Sequence, residues 1–145
     1  MISPSDKIAI ISGNKRISFR QMLQHAANFA GINKSAEGER ILVFSENREG
    51  WIYSLYGIWT NRSTIVPVDA ACTIDDLVYI IKDCAPSAMW VSSKKKSMAE
   101  QAIEICGVSI PICIIDEHED DAVDSIEPAV IQEIADNICI ICYTS

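Results

Sequence analysis

Short apolar runs alternate along this chain with segments whose apolar residues recur every three to four positions. The run at 40–45 is almost continuously apolar, which is typical of a parallel strand covered on both faces. Similar runs occupy 65–68, 88–91, 110–115 and 138–143, and helical periodicity separates them. Repeated β-α-β units with right-handed crossovers predict an α/β fold, with a mainly parallel, doubly wound sheet and flanking helices.

A small hairpin is predicted before the sheet. Residues 7–11 form a strand, residues 12–15 are turn formers, and residues 16–17 return antiparallel. Ser18 and Gln21 then match a capping box, in which each side chain binds the other residue's backbone N–H. This pair predicts the start of the first helix.

Three further helices are predicted between the strands. The first occupies 49–60, and its shared apolar face consists of Ile52, Leu55, Tyr56 and Trp59. The second begins at a cap formed by Thr73 and Asp76. The third occupies 98–106 and ends at Gly107, since glycine is the usual residue just past a helix.

The chain is expected to form one domain. It has 145 residues, no internal repeat and no linker, so 1–145 is predicted to be a single α/β unit. Its N-terminus lacks the regions of a secretory signal, and no apolar stretch approaches the roughly 18 residues of a membrane span. These features predict a cytoplasmic protein without a transmembrane segment.

Charge is unevenly distributed around a net value of −8. Residues 1–96 contain 12 basic and 9 acidic side chains, whereas residues 97–145 contain no basic and 11 acidic ones. An acidic half repels phosphate backbones, so nucleic acid is not an expected partner. The basic run at 94–96 is too short to reverse this and is predicted to be a solvated helix start.

The cysteines and histidines do not form a pattern typical of metal or redox chemistry. Cys139 and Cys142 match a C-x-x-C spacing, but their β-branched neighbours predict a strand with the two thiols on opposite faces. His118 lies in an acidic stretch without the glycine of a calcium loop, which indicates a mobile loop. His25 has no visible nucleophile to serve, so a surface position is expected. We therefore predict no metal site and assign no catalytic residue.

The exit of the last predicted strand carries hydroxyl side chains. Open sheets of this class bind ligands beyond the carboxyl ends of their strands, and the strand at 138–143 runs directly into Thr144 and Ser145. Hydroxyls and loop amides at such an exit bind anionic oxygens. Thr144 and Ser145 are therefore candidate phosphate ligands, and the chain is expected to continue into a phosphate-binding loop.

Five blocks occur in an order that is typical of one known family. Residues 136–145 are similar to an apolar strand followed by the first three residues of a Tyr-Thr-Ser-Gly phosphate loop, and residues 17–22, 40–47, 57–69 and 76–84 resemble earlier segments. Together they resemble the N-terminal part of the AMP-forming adenylating ligases. That family includes acyl-CoA synthetases, long-chain fatty acid–CoA ligases, peptide synthetase adenylation domains and firefly luciferase. The sequence around Asn61 departs from the small residues usual there.

The resemblance implies a two-step reaction for a larger parent protein. A carboxylic acid, for which a fatty acid is the expected class, is activated by ATP as an acyl-adenylate, and coenzyme A then displaces AMP. It implies ATP, Mg²⁺ and coenzyme A as cofactors, with Thr144 and Ser145 as the first contacts to the ATP phosphates. The catalytic lysine would lie beyond this chain. The 145 residues alone are therefore expected to be inactive and to hold none of these ligands.

Other interpretations stay open. A non-enzymatic α/β binding or assembly module needs no loop after Ser145, and the codons that follow in the gene would distinguish it. A flavodoxin-like domain is less favoured, because the turn at 45–48 lacks the glycines of such phosphate sites. A strand as apolar as 138–143 is normally covered on both faces, so exposed apolar area there predicts self-association of the chain.

Overall fold

The computed structural model describes residues 2–131 and 138–144. Two one-turn 3-10 helices, Ser93–Lys95 and Ile115–Glu117, accompany the regular elements. These elements are, in chain order, β1 (Ile8–Ser12), β2 (Lys15–Ser18), α1 (Phe19–Ile32), β3 (Arg40–Phe44), α2 (Glu49–Thr60), β4 (Thr64–Val68), α3 (Ile74–Cys84), β5 (Ala88–Val91), α4 (Lys96–Cys106) and β6 (Ile112–Ile114).

Four parallel strands form the main sheet in the order β4-β3-β5-β6. Leu42 of β3 is in register with Val66 of β4 on one side and with Met89 of β5 on the other. Strands β1 and β2 form a separate antiparallel hairpin. The predicted α/β fold, with its parallel sheet, flanking helices and N-terminal hairpin, is confirmed.

Alternate strand residues face two different helical layers. Val43 and Trp90 point into a core shared with α1 and α2, which includes Leu23 and Phe29. Leu42 of the same strand belongs to a second core, shared with α3 and α4. Burial on both faces explains the unbroken apolar run of β3, since neither side of this strand meets water. Among the described residues, no helix has the length and apolar character needed to cross a membrane.

Capping side chains set the helix boundaries. The Ser18 hydroxyl accepts a hydrogen bond from the Gln21 N–H at 3.2 Å, and Gln21 Oε1 accepts one from the Ser18 N–H at 3.0 Å. Thr73 and Asp76 make the equivalent pair at the start of α3. Helix α4 ends at Cys106 and is capped by Gly107, whose φ of 65° suits a residue without a side chain. All three predicted boundaries are confirmed.

The buried face of α2 differs from the predicted one. The predicted face of Ile52, Leu55, Tyr56 and Trp59 is only half-buried. The buried residues of α2 are instead Gly50, Tyr53, Ser54, Gly57 and Ile58. The reason is the close approach of α1: a Cβ on Gly57 would lie 3.0 Å from the Ala26 carbonyl oxygen. Two helices can come this close only through small residues, so Gly57 and Ser54 face inward although they are less apolar.

Among the described residues, the segment predicted as the last strand forms a single bridge. Ile140 pairs with Ile65 on the outer side of β4, through hydrogen bonds from the Ile65 N–H to the Cys139 oxygen at 3.1 Å and from the Ile141 N–H to the Ile65 oxygen at 3.0 Å. Ile138 is 66% exposed. The expectation of a buried strand over 138–143 is therefore wrong. Within the described residues, the segment has a strand neighbour on one side only, so its outer side meets solvent.

Candidate functional site

The carboxyl ends of the strands open onto one edge of the molecule. Phe44 at the end of β3 is in register with Val68 of β4 and Val91 of β5. The loops that follow these strands therefore begin at the same level. This edge is where parallel sheets bind ligands, and it carries the polar residues that the sequence places at strand exits.

Two cavities lie side by side at this edge and share Pro67, Val68 and Asp69. The first has a volume of about 450 Å³ and is bounded by the exit of β4, the start of α3, and Tyr143 and Thr144. The second, of about 470 Å³, is lined by residues 45–47 after β3 and by Trp51. Both volumes fall in the range of small-molecule sites.

The structure places Thr144, one of the two predicted phosphate ligands, on the wall of the first cavity. Its side chain is exposed, so its hydroxyl is available to a ligand. Ser145, the second predicted ligand, lies outside the described residues.

Tyr143 attaches the segment before Thr144 to helix α3. Its hydroxyl donates a hydrogen bond of 2.6 Å to Oδ2 of Asp83, and its ring meets the ring of Tyr79 edge to face, with the centroids 6.2 Å apart. Desolvation and the neighbouring Asp83 carboxylate raise the pKa of Tyr143, so its phenol is neutral and remains a donor. Sequence reasoning gave Tyr143 no role, since its partner lies 60 residues away.

Lys95 connects the exits of β4 and β5. Its ammonium group donates a hydrogen bond of 2.6 Å to the Ala70 oxygen and lies 5.3 Å from the centre of the Phe44 ring. The prediction of a merely solvated lysine run is wrong for this residue. Lys95 holds the turn that follows β4, and this turn lines both cavities.

Arg48 is the centre of the largest polar network at the edge. Its guanidinium donates to Oδ1 of Asp116 at 2.7 Å and to both carboxylate oxygens of Glu119, and Glu119 Oε1 also accepts the Gly50 N–H at 2.7 Å. Asp116 Oδ2 accepts the Ser93 N–H at 2.7 Å. The network therefore joins the loops after β3, β5 and β6.

The network shifts the ionisation of its members. Glu119 is the leading cause of a raised Arg48 pKa, so the guanidinium stays charged. Burial opposes the ionisation of Asp116, but the hydrogen bonds from Ser93 and Arg48 outweigh it and lower the pKa of this carboxyl. The acidic loop, predicted to be mobile, is thus tied to the sheet by ion pairs. A sequence signal did exist, because Arg48 and the acidic residues follow parallel strands, β3 and β6, whose carboxyl ends lie at the same edge of the sheet with β5 between them.

Both histidines are half-buried. The ring of His25 stacks on Tyr53 with the centroids 4.3 Å apart, and burial lowers the pKa of His25, so this residue is less exposed than the expected surface position implies. Nδ1 of His118 lies 3.2 Å from Oδ2 of Asp121, and its ring contacts Trp90 and Phe29 edge to face. Both rings pack against the core around α1 rather than facing the two cavities.

Cys139 and Cys142 are exposed free thiols, which contradicts their predicted packing in a strand. They belong to the segment that forms only one bridge with β4. Over 2–131 and 138–144, no cluster of three or more histidine, cysteine or acidic residues could hold a metal ion.

Comparison with known proteins identifies one family. The family model described as "AMP-binding enzyme" matches residues 3–145. A polyketide synthase–nonribosomal peptide synthetase of Aspergillus clavatus is 26% identical over 113 residues, which are 75% of this chain and 3% of that protein. The hybrid PKS-NRPS synthetase buaA of Petromyces alliaceus is 32% identical over 85 residues, which are 56% of this chain and 2% of that protein.

Solved structures share the fold. ATP-bound MatB from Rhodopseudomonas palustris superposes with a TM-score of 0.79 at 21% identity, covering 100% of this chain and 30% of that one. The anthranilate CoA ligase AuaEII in complex with anthranoyl-AMP gives 0.79 at 18% identity, covering 98% of this chain and 29% of the ligase. The chain thus spans less than a third of each of these proteins.

Proposed function

This chain belongs to the AMP-binding enzyme family, whose model matches residues 3–145, and we propose that it forms the N-terminal part of an ATP-dependent, AMP-forming acid–thiol ligase. The observation that carries the proposal is the family match over residues 3–145, and Thr144 on the wall of a cavity at the carboxyl edge of the sheet supports it. We propose a fatty acid as the carboxylic acid, coenzyme A as the thiol, and the cytoplasm as the location.

The proposed reaction has two steps. A carboxylate oxygen attacks the α-phosphorus of ATP, and pyrophosphate leaves with the electron pair of the broken P–O bond. The sulfur of coenzyme A then attacks the acyl carbonyl carbon, its proton is lost, and AMP leaves to give the thioester. Both steps move negative charge onto phosphate oxygens, so hydrogen-bond donors fixed around those oxygens stabilise the transition states.

Within the proposal, this chain contributes to phosphate binding rather than to proton transfer. The Thr144 hydroxyl would donate to a phosphate oxygen of ATP, and Ser145 would continue the same contact. We assign no general base here. The described residues contain no cluster that fits a metal ion, so no step is assigned to Mg²⁺.

The test is ATP–pyrophosphate exchange by the full gene product, measured with a panel of fatty, aromatic and amino acids. Exchange with one class of acid, followed by thioester formation when coenzyme A is added, is the expected result. No exchange with any carboxylate would overturn the ligase proposal and favour a non-enzymatic α/β module. Exchange without transfer to coenzyme A would retain the ligase and reject coenzyme A as the acceptor.

We further propose that the 145 residues alone are inactive and bind ATP weakly. Thr144 and Ser145 supply two hydroxyls, whereas a complete phosphate site uses several amides and charges. Isothermal titration of the chain with ATP should therefore give a dissociation constant well above the micromolar range. Micromolar affinity would contradict this part of the proposal.

A further inference from the structure

The segment that carries Thr144 is held along only part of its length. Trp59 Nε1 and the Thr64 hydroxyl donate to the oxygens of Cys139 and Ile138 at 2.9 and 2.5 Å, and the bridge with Ile65 ends at the Ile141 N–H. These four hydrogen bonds fix the backbone from 138 to 141 against the edge of β4.

Beyond Ile141 the hydrogen bonding among the described residues changes from backbone to side chain. Within the part of the chain that the structure describes, Cys142, Tyr143 and Thr144 make no backbone hydrogen bond. The side chain of Tyr143 does make one, to Asp83 in the last turn of α3, and its ring lies against Tyr79 in the same helix. The direction in which Thr144 leaves the sheet therefore depends on this side chain.

We propose that Tyr143 is a positioning residue, whose hydrogen bond to Asp83 clamps the strand exit onto α3 and so aims the Thr144 hydroxyl at the phosphates of ATP. This inference rests on the proposed function of Thr144 and deepens it. Tyr143 does not touch the phosphates itself. Without this hydrogen bond, Tyr143 and Thr144 would sample many backbone conformations, and ATP binding would have to select one of them at a cost in conformational entropy. The hydrogen bond to Asp83 removes that freedom before ATP binds.

The catalytic test uses Tyr143→Phe, which keeps the ring and removes the donor. In ATP–pyrophosphate exchange by the full gene product, the KM for ATP should rise about 3- to 10-fold, the effect of one hydrogen bond. The KM for the acid should stay unchanged, a split that a general loss of structure would not produce. Asp83→Ala should have the same effect, and the double variant should be no worse than either single one.

Tyr56→Phe is the matched control. Tyr56 is a half-buried phenol on α2 that lines neither of the two cavities. Loss of its hydroxyl should leave the KM for ATP unchanged. A Tyr143→Phe effect below twofold, or additive effects of Tyr143→Phe and Asp83→Ala, would overturn the proposal.

A second measurement does not need catalysis. In the 145-residue chain, the NMR order parameter of the Thr144 amide should be near the rigid value of about 0.85 and should fall below about 0.6 in Tyr143→Phe. A Thr144 amide that is equally ordered in both proteins, or already flexible in the wild type, would refute the clamp. If the wild-type gene product shows no exchange, the ligase proposal fails, and the order parameter still decides whether Tyr143 positions Thr144.

Discussion

Gly50 at the start of α2 offers a sharp test of how the sheet edge is packed. A Cβ at this position would overlap Cγ2 of Ile115, which is fully buried, and would lie 3.2 Å from Oε1 of Glu119. The Gly50 N–H also donates to that same carboxylate oxygen at 2.7 Å. Gly50→Ala should therefore push α2 away from both the core and the Arg48 network.

The expected change in the free energy of unfolding of Gly50→Ala is the sum of opposing effects. Overpacking of a rigid core costs about 1–3 kcal/mol, and a strained hydrogen bond to the charged Glu119 adds part of about 1.5–3 kcal/mol. Replacement of glycine by alanine in a helix contributes about 0.5–1 kcal/mol in the other direction. Gly50→Ala should thus lower the free energy of unfolding by about 1–3 kcal/mol. Gly31→Ala, in α1, is the control, since its Cβ meets nothing within 4 Å and should stabilise by about 0.5–1 kcal/mol.

The assay is urea unfolding of the 145-residue chain, followed by circular dichroism, with m-values compared to verify two-state behaviour. A double variant with Ile115→Ala adds a further check, because removing the overlapping methyl should make the combined loss smaller than the sum of the two single losses. If Gly50→Ala is as stable as the wild type, or if Gly50→Ala and Gly31→Ala shift stability in the same direction, the reasoning about the close contact is refuted.

Three further predictions follow from the same structure. The folded state lowers the pKa of Asp116, so this carboxylate stabilises the fold fully at pH values above its ordinary pKa of about 3.8 and loses that effect as pH falls through the lower folded pKa. The difference in unfolding free energy between the wild type and Asp116→Asn should therefore shrink below about pH 4. A difference that stays constant during acid unfolding would contradict this. Ser18→Ala should lower the free energy of unfolding by about 1 kcal/mol in urea, with Ser18→Gly losing less. The exposed Ile138 predicts concentration-dependent self-association that Ile138→Lys weakens, and a monodisperse wild-type monomer in light scattering would count against it.

Local sequence patterns were sufficient to predict most of the fold. The caps at Ser18 and Thr73 act within four residues, and the burial of β3 shows in its own apolar run. The inward face of α2 could not be read in this way. It is set by the distance at which α1 packs, and that distance depends on Gly57 meeting the backbone around Ala26. A pattern of apolar residues ranks faces by hydrophobicity, whereas close helix packing selects small side chains.

The candidate site was less predictable than the fold. Its location followed from the rule that parallel sheets bind ligands at their carboxyl edge, and Thr144 was identified from its position after an apolar run. The contacts that shape the site join residues far apart in the chain: Arg48 with Glu119, Lys95 with Ala70, and Tyr143 with Asp83. The spacing of apolar residues along the sequence does not predict such pairs, because each pair depends on which loops the folded sheet brings together.

The fold and the site should respond differently to substitution, because buried cores stabilise the fold whereas surface contacts shape the site. The two cores on either face of the sheet are built from fully buried apolar side chains such as Leu23 and Leu42, and truncating one costs about 2–5 kcal/mol. The Tyr143–Asp83 hydrogen bond lies at the surface, where a single hydrogen bond contributes about 0.5–1.5 kcal/mol. Substitution of Tyr143 should therefore alter the position of Thr144 well before it endangers folding, so an effect of Tyr143→Phe on ATP binding would report geometry rather than stability.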